Sequence, residues 1–265
     1  MWWSSLFTDM RPSDFFNFSF LPKYGTAFVR GIEYTLLLAV VSVLLAVIPA
    51  LLLALMRLSK VKPVRWLSGA YIAVFRSTPM LVQLSIIYYG LFYAISLPRL
   101  TLFGFVDISR FIPGVVALAL NSSAYVAEIF RAGIQSIPKG QNEAARSLGM
   151  NAFQTLLYVM IPQTFRNVLP TLTSEFILLY KDTSLLAAVG VVEIVMNART
   201  IVATTGSITP YVVAALFYLV ITLPLARLVS GLEARLLGTA ETKKKRPAKS
   251  AGQVVATPAD HIAGL

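Results

Sequence analysis

The sequence predicts an all-α, polytopic membrane protein with five spans, and three observations lead there. Hydrophobic residues make up 57% of the chain and charged ones only 13%, a balance that would expose long apolar runs if the chain were soluble. Several of these runs suffice to cross a ~30 Å hydrocarbon core, residues 34–56 being uncharged throughout. Lysine and arginine gather at the ends of the runs, as at Arg57, Lys60, Lys62 and Arg65, which is how span ends are marked in bilayers.

Residues 1–30 are aromatic and turn-rich at their start (Trp2, Trp3, Phe15, Phe16, Phe18, Phe20) and are expected to lie at the membrane interface. They lack the basic start and small-residue cleavage site of a secretory signal. Residues 34–56 form the first span, with Pro49 expected to kink it without ending it. Residues 66–97 are longer than one span requires, and Arg76-Ser77-Thr78-Pro79 interrupts them. Pro79 pushes Thr78 out of helical geometry, so a half-helix, a break and a second piece are expected. Residues 97–110 read as an external loop. Residues 112–134 are the third span, with Asn121, Ser122, Ser123 and Tyr125 as a polar stripe and Glu128 and Arg131 towards one end. Residues 164–180 return, with Pro170 as a kink and Glu175 on one face. Residues 186–209 are mixed, as a re-entrant or interfacial piece would be, and residues 211–228 are the fifth span. The core of the protein is then residues 31–236, and residues 237–265 are expected to be a disordered cytoplasmic tail. An external N-terminus and a cytoplasmic C-terminus place most cations inside, as the charge rule for membrane loops requires.

Several classes of chemistry are excluded. There is no cysteine, hence no disulfide, thiol nucleophile or thiolate metal site. The one histidine, His261, lies in the polar tail, and no metal site or catalytic residue is expected. The net charge of +11 would suggest nucleic acid in a soluble protein; here it reports loop topology, with the run Lys243 to Arg246 near anionic lipid. A membrane-embedded enzyme would need a nucleophile and base, or a metal site, at matched depth. A carrier or channel working alone would more often show inverted repeats, and none is visible.

The one polar stretch inside this apolar chain is residues 135–162. Pro138 suits a first helical turn, residues 141–148 hold no breaker, and Gly149 sits where a left-handed cap is wanted. Asn151 and Gln154 stand at capping-box spacing for the next helix. Glu143-Ala144-Ala145, three residues, Gly149, nine residues and Val159-Met160-Ile161-Pro162 resemble the EAA loop of ATP-binding-cassette (ABC) importer permeases, departing only by Val for Ile and Ile for Leu. The resemblance implies the binding-protein-dependent permease (MetI-like) fold, with Glu143, Ala144, Ala145, Arg146 and Gly149 coupling this chain to an ATPase. No phosphate-binding loop and no Gly-Lys dipeptide occur, so no cofactor is expected here, and ATP and Mg would sit on a partner ATPase dimer.

Further stretches resemble the polar amino-acid permeases of the histidine/glutamine/glutamate type. These are Phe75 to Pro79 with Gln83, Ala124-Tyr125 with Glu128, Arg131 to Ser136, and Lys181 to Leu185; many relatives have Gly where Ser77 stands. That resemblance implies a second permease subunit, identical or homologous, and an extracytoplasmic amino-acid-binding protein in a bacterial inner membrane. Polar and charged residues within the spans, some of them in these stretches, make Arg76, Ser77, Thr78, Gln83, Asn121, Tyr125, Glu128 and Glu175 the candidate substrate pathway. Arg76 can hold a carboxylate with two parallel hydrogen bonds; alternatively it pairs with Glu128 or Glu175, or snorkels. Asn121, Ser122 and Tyr125 line a pathway or hydrogen-bond between helices. Glu128 and Glu175 grip an ammonium or pair with Arg131 or Arg166, and Lys181 and Asp182 are expected to form a local cap or salt bridge.

Overall fold

The computed structural model describes residues 16–95, 97, 98 and 100–244. Helix α1 runs Leu21–Leu58, opened by Pro22 in its first turn and carrying Pro49 inside. Its 38 residues reach roughly 57 Å at 1.5 Å per residue, well beyond a single span. Helix thus begins before residue 34 and takes in the last third of the expected interfacial segment, because nothing between Pro22 and Pro49 stops it; residues 1–15 lie outside the described residues.

Helix α2 (Lys62–Ser77) ends as its sequence requires: Thr78 is extended, with φ −113° and ψ 145°, in front of Pro79. Helix α3 (Met80–Ser85), a π-helical turn (Ile86–Leu91) and a last turn α4 (Phe92–Ala94) follow. Helices α2 and α3 meet at 105°. A small hairpin, β1 (Thr101–Leu102) antiparallel to β2 (Val106–Asp107), stands where a plain loop was expected. Asp107 then caps α5 (Ile108–Gln135) by accepting from Ser109 N–H.

Beyond a tight turn come α6 (Lys139–Ser147), α7 (Ala152–Gln154), a second π-helical stretch (Thr155–Met160) and α8 (Ile161–Asp182). A 3₁₀ turn (Thr183–Val189) leads to α9 (Ile194–Thr205) and to α10 (Thr209–Lys244). Helix α10 continues past residue 236, correcting the start of the expected disordered tail: no proline or glycine after Gly238 breaks it before Pro247. Residues 245–265 lie outside the described residues. Among the described residues three helices are long and apolar enough to cross a membrane, or up to five if each of two bent pairs is one span.

The centre of the fold is the seam between α1 and α5. Tyr34 and Leu38 cluster with Val115, Ala117 and Leu118, while Ala50 and Ala54 cluster with Ala124, Ala127 and Phe130. The pairing advances in the same sense on both helices, so they run parallel. Small side chains allow that close approach, which drives helix association where lipid removes the hydrophobic force. Helix α9 is anchored by Glu193, a fully buried N-cap that accepts from Val195 N–H, Met196 N–H and the Tyr218 hydroxyl of α10.

Candidate functional site: a capped elbow and a charged cleft

The elbow between α5 and α8 is built from two caps. Gly149 has φ +84°, and the amides of Gly149 and Met150 donate to the carbonyls of Arg146 and Ala145 at 3.0 and 3.2 Å. That is the Schellman pattern, which only glycine adopts without strain. Asn151 and Gln154 then cap each other reciprocally, both bonds 2.9 Å. The chain direction is therefore fixed on both sides of Gly149. Ala145 alone in α6 is buried, and Glu143, Ala144 and Arg146 face outward. Arg146 closes the turn by donating to the Met150 carbonyl, while Glu143 has no ion-pair partner among the described residues. Beside them Leu148 and Phe153 are exposed by 84% and 69%, so the elbow presents an apolar rim around a free carboxylate.

The second feature is an open cleft of ≈ 610 Å³ between α2, α5 and α8, lined among others by Arg76, Tyr125, Glu128, Asn167, Thr171 and Glu175. The Arg76 guanidinium lies over the Tyr125 ring, 5.3 Å from its centroid, a favourable placement for a cation. The expected ion pair of Arg76 with Glu128 or Glu175 is absent among the described residues. Glu128 instead pairs with Arg131 at 2.7 Å, one turn along its own helix, where reach is shortest. Glu175 pairs with neither Arg166 nor Arg76. Arg76, Tyr125 and Glu128 also line an adjoining cleft of ≈ 470 Å³ with Ser77 and Arg57.

Gln83, Asn121 and Thr78 are placed differently from the expected pathway. Gln83 is buried, and its Nε2 donates to the Phe75 and Thr78 carbonyls and to Thr78 Oγ1 at 2.7–2.9 Å. Phe75 is four residues before Pro79, so Gln83 satisfies the carbonyl that proline leaves without a donor. Asn121 donates to Gln83 Oε1 at 2.7 Å. These three side chains clasp the break in the helix and line neither charged cleft. Ser123 instead ties α5 to the middle of α2, meeting the Tyr71 hydroxyl at 2.9 Å, and Ser122 is buried outside both clefts. Lys181 and Asp182 form no salt bridge with each other among the described residues; Lys181 lines a separate cleft of ≈ 430 Å³ with Tyr211 and Tyr218.

A family model described as "Binding-protein-dependent transport system inner membrane component" matches residues 42–238. The chain belongs to this family. Among its relatives is the arginine transport system permease protein ArtQ of Bacillus subtilis, 37% identical over 209 residues, which cover 78% of this chain and 91% of that protein. The L-cystine transport system permease protein TcyB of the same organism is 41% identical over 208 residues, covering 78% and 85%. A solved amino acid ABC transporter with histidines aligns at TM-score 0.71 and 41% identity, covering 83% of this chain and 98% of its own.

As a binding-protein-dependent permease, the chain has the MetI-like fold and is a transport subunit of an ABC importer, not an enzyme; the ATPase of such importers is a separate subunit. Asn167 and Thr171, on one wall of this permease's cleft, were not singled out in the sequence. Their signal is weak: a polar residue every fourth position on α8 also suits a helix–helix contact.

Proposed function

We propose that this permease carries a polar amino acid, delivered by an extracytoplasmic binding protein, across the inner membrane as ATP is hydrolysed with Mg on a partner ATPase dimer. The observation that carries the reading is the larger cleft, lined by a guanidinium (Arg76) and a carboxylate (Glu175) that make no salt bridge among the described residues. An α-amino acid presents the complementary pair, a carboxylate and an ammonium. Relatives named for arginine and L-cystine transport support that class. A second permease subunit, a copy or a homologue, completes the pathway. The core of the unit is residues 31–236, with the N-terminus outside and the elbow and C-terminus in the cytoplasm.

In this reading the exposed face of α6, with Glu143, Ala144, Arg146 and the bend at Gly149, seats in the ATPase. Ala145 faces inward and transmits the movement. The test is uptake of radiolabelled amino acids by vesicles containing the full complex. Charge reversal, Glu143→Lys, should leave insertion and basal ATP hydrolysis intact while uptake falls at least tenfold. Uptake by the isolated chain without any ATPase would overturn the proposal.

A further inference from the structure

The elbow between α1 and α2 carries a charge the protein itself does not balance. Arg57, Lys60, Lys62 and Arg65 all fall within residues 57–65, and no acidic residue occurs between Glu33 and Asp107. Among the described residues none of the four makes an ion pair or a side-chain hydrogen bond. Glu128 lines the cleft that Arg57 enters, but its carboxylate is held by Arg131.

Arg57 is seated, not loose. Its guanidinium lies against Gly69 of α2, where an added Cβ would stand 3.0 Å from Nη1, and it lines the ≈ 470 Å³ cleft between the two helices. Around this cation the surface is apolar: Val61, Trp66, Leu67 and Val74 are exposed by 56%, 72%, 59% and 58%. Trp66 and Leu67 lie on the side of α2 away from its buried Ser68 and Ile72. The cluster begins where the uncharged run 34–56 ends, which sets it at the lipid–water boundary whichever leaflet it faces.

We propose that the α1–α2 elbow is a binding site for the headgroup of an anionic phospholipid. The phosphate sits on Arg57 over Gly69, Lys60 and Lys62 supply the surrounding positive field, and Trp66 and Leu67 lie among the acyl chains at the boundary. Unpaired cations between helices at the membrane surface attract acidic lipid, and an exposed Trp beside them belongs at headgroup depth. The combination favours lipid over a protein partner, which would have to bring both acidic groups and a matching apolar face. The site does not depend on which solute is carried.

The full-length chain, carrying Trp2→Phe and Trp3→Phe, retains Trp66 as its one remaining tryptophan. In phosphatidylcholine vesicles, brominated phosphatidylglycerol should quench Trp66 at much lower mole fraction than brominated phosphatidylcholine. Arg57→Gln and Lys62→Gln should each reduce that preference about fivefold. Gly69→Ala removes no charge but crowds the Arg57 guanidinium on α2, and should reduce it as well. Equal quenching by the two lipids, no quenching by either because protein covers Trp66, or a preference untouched by Gly69→Ala would each overturn the site.

Discussion

Replacing Gln83 by leucine would strip a half-buried break of the side-chain donor that serves its Phe75 and Thr78 carbonyls. The carbonyls of Phe75 and Thr78 would lose their bonds, and Asn121 Nδ2 would lose its acceptor. Each unsatisfied buried group costs about 1–3 kcal/mol. A loss of about 3 kcal/mol is therefore expected, read as a lower aggregation temperature of the purified complex. Thr78→Val removes one hydroxyl and should cost about 1 kcal/mol. Arg76 behaves otherwise, because beyond its place over the Tyr125 ring it makes no hydrogen bond or ion pair among the described residues. Arg76→Gln should leave the melting behaviour nearly unchanged while raising the substrate concentration for half-maximal uptake at least tenfold. Equal destabilisation by Gln83→Leu and Arg76→Gln would show that these two side chains do not divide structural and functional roles. Nothing about residue type separates them beforehand: both are polar residues in an apolar helix, and only the position of Phe75 relative to Pro79 betrays the clasp.

At the scale of elements, the elbow was the most legible part of the chain, since its signals are local. A glycine nine residues after Gly140 and an Asn-x-x-Gln spacing dictate caps that form within a few residues, and both are present in the structure. The break at Pro79 is equally local. What escaped reading depends on distant partners or on nothing distinctive. Glu193 becomes a buried cap only because Tyr218 approaches from α10. The two π-helical stretches carry no breaker that marks them, and the early start of α1 follows from the mere absence of one. The cap itself is testable. Gly149→Ala forces an L-residue to φ near +84°, costing about 1–2 kcal/mol. That strain should loosen α6 against the body, so stimulation of ATP hydrolysis by loaded binding protein falls several-fold while the chain still inserts. Gly149→Asn, which tolerates the left-handed region better, should retain more of it. A melt of the complex distinguishes local loosening from general unfolding.

The elbow and the charged cleft belong to one mechanical unit, because the same two helices build both. Helix α5 carries Tyr125, Glu128 and Arg131 before it turns into α6, and α8 carries Asn167, Thr171 and Glu175 after the elbow. In the proposed coupling, a tilt of α6 moves the end of one wall against the start of the other. The two walls touch at Gly133, where an added Cβ would stand 2.2 Å from Val168 Cγ1 and 3.1 Å from Thr164 Cγ2. Those distances lie far inside contact, so Gly133→Ala has to push α8 away, at a cost of about 1–3 kcal/mol for overpacking. Because Gly133 and Val168 line the end of the cleft nearest the elbow, the wedge should weaken the transmission of movement more than substrate contact at Arg76 and Glu175. Uptake by the complex in vesicles should fall at least fivefold, with basal ATP hydrolysis kept and its stimulation by substrate-loaded binding protein lost. Val168→Ala in the same chain vacates the space the new methyl group needs, so the double variant should recover a large part of the uptake. A double variant no better than Gly133→Ala alone would mean that the contact between α5 and α8 does not carry the coupling.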